Sequence, residues 1–279
     1  MNPMPKSDKA QTYAERRKKE TEKRRINLRK EAKAKRILAR ERFKHSAKAA
    51  RKYQKGLLSI ARHVGELVDK MLDRGKLNTS KLEKLLHDYA ELITPYAKKL
   101  ANAMLEEADD ANERAWKANS ESMGKFIKEE LANKGVGGVY EALMHEQVNL
   151  IKSIPIEAAQ RVHKLSTEAL STSTRASEIM EEILRTGKVT ESRAMTIART
   201  ETSRASSNLT EARARSIGSK GYIWRTAKDA DVREMHQHLE GVYIAWDAPP
   251  VAGSNGERAH AGCIYNCRCW PEPVIPDEL

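Results

Sequence analysis

The chain has 279 residues, 39% of them apolar and 32% charged, so any core is thin relative to the surface. An extended helical protein, built as one large domain or two modest ones, fits this better than a compact globule. Residues 1–50 hold 18 Lys/Arg against 6 Asp/Glu while the remainder holds 33 of each, so the whole net charge of +12 sits in that first segment. No apolar run approaches the roughly 18–20 residues of a membrane span, and no apolar stretch follows the N-terminal charges. The expectation is a chain made and kept in the cytoplasm, with no membrane partner. The three cysteines fall within seven positions, 263–269, which rules out a long-range disulfide framework and points to reduced thiols, ligands or packing groups.

From Thr12 to about Ala50 the sequence is rich in Ala, Lys, Arg and Glu, with apolar positions too sparse for a broad buried face. This predicts an arm over 1–50, helical or disordered until bound. Arg16, Arg17, Lys18, Lys19, Arg24, Arg25, Arg29 and Lys30 are its candidate nucleic-acid contacts, because each cation that pairs with a phosphate releases a counterion. With only Tyr13 and Phe43 as aromatics, the arm has little for base stacking, so contact with double-stranded DNA is expected at phosphates. An acidic protein face would attract the same charges. The interspersed Glu20, Glu22, Glu31 and Glu41 also suit a solvated helix with i,i+4 pairs.

A helical body is expected over 51–154. Leu57, Ile60, Ala61, Val64, Leu67, Val68 and Met71 recur at steps of three and four, one stripe of a helix running from Gly56 to near Gly75. Ser80 with Glu83 reads as a capping box opening a second helix. Pro95 resets the chain, and 96–133 read as one long helix with Leu100, Met104, Ala108, Ala111, Ala115 and Ala118 along its stripe. Gly135 to Gly138 reads as a linker. A helix over 139–152, a break at Pro155 and a helix to about Leu170 follow. Ser171 to Thr174 is the next start signal, Gly187 the next stop, and Thr190 caps a helix to Ile217, which makes an αα-hairpin over 171–218. Beyond Gly218 the character changes to Trp, Pro and Gly. Tyr222–Thr226 and Val242–Trp246 are strand candidates, with helical spacing from Asp229 to Leu239 between them. The fold class is thus mainly α, with an extended helical N-terminal half and a small α+β C-terminal module over 219–279.

The C-terminal module holds the chemistry-bearing residues. His260, Cys263, Cys267 and Cys269 can be read as zinc ligands, since thiolate and imidazole suit a tetrahedral site, with His236 or His238 as an added donor from the preceding helix. Their C-x3-C-x-C spacing departs from paired C-x2-C knuckles, and a reduced cluster packing a turn accounts for the same residues. The sequence leaves zinc and no cofactor both open. His236, Asn255 and His260 invite comparison with a metal-dependent nuclease, but no acidic cluster for a hard cation lies nearby; a nuclease or transferase using Glu201, His236 and the His/Cys loop is the alternative to a non-enzymatic protein. Asp229, Arg233 and His236 are spaced to share a helix face, with Asp229 pairing Arg233. Glu201 lies mid-helix among Arg199 and Arg204.

Taken in order, Arg199, Thr200, Glu201, Trp224, Asp229, Arg233, His236, Leu239 and Gly241, then His260, Cys263 and Asn266 to Cys269, resemble the minor head protein family typified by protein F of phage Mu. In this family an Ala-Arg-Thr-Glu helix, a Trp strand, an Asp-x-x-Val-Arg-x-x-His-x-x-Leu-x-Gly segment and a Cys loop follow one another. Ala261 stands where the family has proline. The resemblance covers about 155–279. It implies a structural, non-enzymatic virion protein of a tailed phage, located in the capsid interior after assembly in the host cytoplasm. Portal protein and major capsid or scaffolding protein are the implied partners, and head assembly or DNA ejection the implied role.

Overall fold

The computed structural model describes residues 42–72, 78–119, 136–172 and 176–275, together with Lys19, Glu22 and Lys23. Contacts divide the chain into Met1–Arg42 and Phe43–Leu279. In the first unit Lys19, Glu22 and Lys23 are helical and exposed, and Arg42 is an exposed turn residue. Of the expected nucleic-acid contacts only Lys19 is among them; Arg16, Arg17, Lys18, Arg24, Arg25, Arg29 and Lys30 lie outside the described residues.

The second unit is mainly α with a small antiparallel sheet, as its composition predicts. Helix α1, Ala47–Leu72, opens nine residues before Gly56. Ser46 starts it, its Oγ accepting from Ala49 N–H at 3.2 Å. The buried positions Ala49, Tyr53, Leu57, Ile60, Ala61, Val64 and Val68 extend the expected stripe backwards by two turns. Helix α2, Thr79–Leu92, is capped by Asn78, whose side chain accepts from Lys81 N–H at 2.9 Å, so the predicted Ser80 capping box is corrected. Asn78 competes better because a short carboxamide reaches the third amide without distorting the entry. Helix α3, Thr94–Asn119, takes Pro95 in its first turn, where a missing N–H costs nothing. Its expected continuation over 120–133 lies outside the described residues. Along α3 the buried stripe leaves the predicted Ala111 and Ala118 and takes in Asn112 and Trp116.

One predicted interruption is absent and another is displaced. Helix α4, Gly137–Thr172, runs through Pro155 and through the expected 154/155 boundary, and it starts inside the predicted glycine linker. An interior proline costs about 3 kcal/mol. Burial on both sides of it outweighs that cost: Leu143, Ile151 and Ile154 enter one apolar cluster with α1, α3 and α6, and Ala158, Ala159 and Val162 enter a second with α1 and α2. Helix α5, Ala176–Leu184, and α6, Thr186–Ser216, are separated by a turn at Arg185 alone. Gly187 therefore sits in the first turn of α6 rather than ending a helix. A Cβ there would lie 3.2 Å from Gly65 Cα of α1, so the glycine serves a close helix approach.

Helix α6 is enclosed on more than one side, and its buried residues are mostly Ala, Ser and Thr. Their hydroxyls are satisfied locally, as Thr202 Oγ1 donates to Ala198 O at 2.8 Å and Thr210 Oγ1 to Ser206 O at 2.8 Å. Gly218, with φ +81°, ends it. Ser219 N–H bonds to Ala214 O and Gly218 N–H to Arg215 O, both at 3.0 Å, a Schellman motif.

The chain then forms β1, Gly221–Arg225, a short helix α7, Glu234–Leu239, strand β2, Tyr243–Ala245, and strand β3, Trp270–Pro273. The antiparallel order is β2-β1-β3. Strand β3 escapes the sequence reading because two of its four residues are prolines, which a ladder tolerates only at an edge. The module packs on the ends of α3 and α6 through Tyr222, Trp224, Trp246, Trp270, Trp116 and Ile217, joined by Phe43. Phe43 meets Trp116 edge-on at 5.1 Å, so the last residues of the expected arm belong to the folded unit.

Candidate functional site

The Cys loop is held against α6 by hydrogen bonds from its polar face. Thr200 Oγ1 accepts from Asn266 N–H at 3.1 Å and Ser207 Oγ donates to Ala261 O at 2.7 Å. Asn266, with φ +53°, takes the left-handed conformation that asparagine tolerates, and it starts the Asn-Cys-Arg-Cys turn. Gly262, with φ +83°, is packed between the end of its own loop and α6: a Cβ would stand 2.9 Å from Cys269 O, against Ser207 Oγ, and 3.4 Å from Ser203 O. The Arg-Thr-Glu helix and the Cys loop, 66 residues apart at Thr200 and Asn266, are one structural unit.

The four expected ligands separate into two groups. His260 is a structural pin: its Nδ1 lies 3.2 Å from Tyr222 Oη and its Nε2 3.0 Å from Trp246 O. Tyr222 Oη also accepts from Ala261 N–H at 3.2 Å, so the phenol proton is free to go to His260 Nδ1. Burial lowers the His260 pKa. Cys263 Sγ–H faces Asn208 Oδ1 at 3.6 Å, and burial pushes its thiol up to about 12. Neither joins the other two cysteines.

Cys267 and Cys269 instead converge on His236, and the three donor atoms all lie within 4.8 Å of one another. His236 Nδ1 is 3.6 Å from Cys267 Sγ and 3.5 Å from Cys269 Sγ. Its Nε2 points the other way, 2.9 Å from Ala252 O. Trp224 on β1 packs edge-on against the imidazole at 5.3 Å. The adjacent Cys269 and His236 draw the Cys267 thiol down to about 4 against the effect of burial. Cys267 and burial in turn hold Cys269 protonated, while the Trp224 indole N–H acts in the opposite sense. Burial opposes a charged His236, but Cys267 and the Ala252 carbonyl outweigh it and raise its pKa. The cluster opens on a cavity of about 550 Å³ that also meets His45, Arg199, Asp231, Arg233 and Arg268. His45 was missed in the sequence, lying more than 190 positions from His236; its burial and lack of pattern left no signal.

The remaining motif residues are structural in their contacts. Asp229 accepts from Arg268 Nη1 at 2.8 Å, not from Arg233, and Arg233 donates to Tyr265 O at 2.7 Å. The predicted shared helix face of Asp229, Arg233 and His236 is corrected, because α7 begins only at Glu234 with Arg233 as its N-cap. Glu201 is buried between helices, where Gln147 Nε2 and Arg204 Nη2 donate to its Oε2 at 2.7 and 2.6 Å. Leu239 packs against the module core, and Gly241, with φ +83°, returns the chain to Trp224 O. Asn255 is exposed and bonds to Glu257, apart from both histidines.

Residues 160–271 match the family described as phage Mu protein F like protein. A curated relative, described as an uncharacterized protein of Haemophilus influenzae, is 29% identical over 202 residues, which cover 71% of this chain and 44% of the relative. The chain thus spans less than half the length of that relative. No solved structure matches. The Arg-Thr-Glu helix docked on the Cys loop and the Trp strand beneath it lie within residues 160–271, the part of the chain that is similar to the phage Mu protein F like family.

Proposed function

We propose that the chain is a minor head protein of a tailed phage, in which the C-terminal module docks on portal or inner capsid and the N-terminal arm contacts packaged DNA. The observation that carries the second half is the charge division: residues 1–42 hold 16 Lys/Arg against 6 Asp/Glu, and the folded unit holds the rest of the chain's charge close to balance. Such a segment serves phosphate contact without base readout. The motif residues fit docking better than turnover, since Glu201, Asp229, Arg233 and His260 spend their polar atoms on hydrogen bonds within the chain. No described helix is long and apolar enough to cross a membrane.

Phe43 is buried, so the arm is best removed at Arg42. Deleting 1–42 should abolish salt-dependent DNA binding while leaving the helical circular dichroism of the rest. Changing Arg16, Arg17, Lys18, Lys19, Arg24, Arg25, Arg29 and Lys30 to Gln should flatten the slope of log K against log salt by about 0.9 for each phosphate no longer neutralised. An unchanged slope refutes the DNA contact. Cross-linking mass spectrometry of purified particles should connect the C-terminal module to portal or capsid; links confined to host proteins refute the virion role.

A further inference from the structure

We infer that His236, Cys267 and Cys269 form a zinc site, closed by His45 as fourth ligand, that ties the beginning of the folded unit to the Cys loop. Such a site does not depend on the head-assembly reading. Zinc bonds of about 2.3 Å to sulfur and about 2.0–2.1 Å to nitrogen, set at the tetrahedral angle, place sulfur and nitrogen about 3.5–3.6 Å apart. His236 Nδ1 stands 3.6 Å from one sulfur and 3.5 Å from the other. One ring N–H serves one acceptor well, whereas a cation between the three atoms requires this equality of distances.

The surroundings match as well. His236 Nε2 at 2.9 Å from Ala252 O fixes the tautomer that leaves Nδ1 free to ligate, the outer-shell arrangement that zinc histidines use. His45 borders the same cavity, and its Nδ1 is buried without a hydrogen-bond partner. Its position is fixed by its neighbours, since Phe43 packs on Trp116 and Lys44 Nζ lies 5.4 Å above the Trp270 ring. A buried ring nitrogen without a partner is unfavourable, and a metal bond would relieve it. Two thiolates and two neutral imidazoles neutralise Zn²⁺, and this soft S₂N₂ set disfavours magnesium or calcium.

The test is metal content and Co²⁺ substitution in the full-length reduced protein. About one zinc per chain is expected, with Co²⁺ giving the visible bands and thiolate charge-transfer of a tetrahedral two-sulfur site. Cys267→Ser, Cys269→Ser and His236→Ala should each lose the metal, whereas Cys263→Ser should retain it. His45→Ala should weaken zinc affinity by more than the roughly 10–100-fold typical of losing an outer-shell partner. Wild-type protein that binds neither cation stoichiometrically overturns the site without any variant having to fold. Loss of metal on Cys263→Ser overturns the ligand set, and an unchanged affinity in His45→Ala overturns its fourth member.

Discussion

Two glycines of almost identical conformation allow the close packing at Gly262, between the end of the Cys loop and α6, to be measured. Gly256 has φ +85° and nothing within 4 Å of the point where a Cβ would stand, while Gly262 has φ +83° and would place its Cβ 2.9 Å from Cys269 O and also against Ser207 Oγ. Alanine at either position incurs the left-handed penalty of about 1–2 kcal/mol. A smaller unfolded-state entropy offsets some of it, by about 0.4–1 kcal/mol. On these terms Gly256→Ala should cost about 1 kcal/mol. Gly262→Ala adds overpacking against backbone, which cannot rotate away, typically about 1–3 kcal/mol more. The total is about 2–4 kcal/mol, or roughly 4–16 °C in Tm at about 2–4 °C per kcal/mol for a folded unit of this size. Thermal denaturation of the two variants beside the wild type, followed by near-ultraviolet signals from the module's tryptophans, reads the difference. Equal destabilisation would refute the reasoning, because it would mean that Gly262 is not closely packed against Cys269 O and Ser207.

Glu201→Ala should cost about 1–3 kcal/mol in chemical denaturation, because Gln147 Nε2 loses its buried acceptor while Arg204 keeps Glu146 at 2.5 Å. Glu201→Gln, which retains the shape and an acceptor oxygen, should cost less; a loss equal to that of Ala would show that the carboxylate charge facing Arg204 dominates over the hydrogen bond from Gln147. Glu240 titrates below the ordinary carboxylate range: burial acts against its charge, but hydrogen bonds from Thr226 N–H and Oγ1 and from Lys228 outweigh it. A lowered folded-state pKa stabilises above the unfolded value and is lost as pH falls through the folded one. Wild type should therefore lose stability relative to Glu240→Gln as pH drops below the ordinary carboxylate value, and parallel pH profiles would contradict this.

The helical class, the module at the C-terminus and the strands around Tyr222 and Ile244 were legible in the sequence, since each rests on local periodicity or turn chemistry that a short window contains. So was the family resemblance, carried by the order of its motifs from Arg199 to Cys269. Tertiary structure decided the rest. Pro155 is a breaker by local rule, yet α4 continues through it because burial against neighbouring helices outweighs propensity, and the break expected at Gly187 falls at Arg185, leaving the glycine in the first turn of α6. Strand β3 exists only because β1 offers an edge to which two prolines can attach. The cysteine cluster shows the limit most sharply. Proximity along the chain grouped His260 and Cys263 with Cys267 and Cys269, whereas the fold turns the first pair toward Tyr222 and Asn208 and brings His236 and the cavity-lining His45 to the second. Spacing fixes which residues are neighbours in a helix or a turn; which ring nitrogen faces which sulfur depends on how distant elements pack, and no local pattern encodes that.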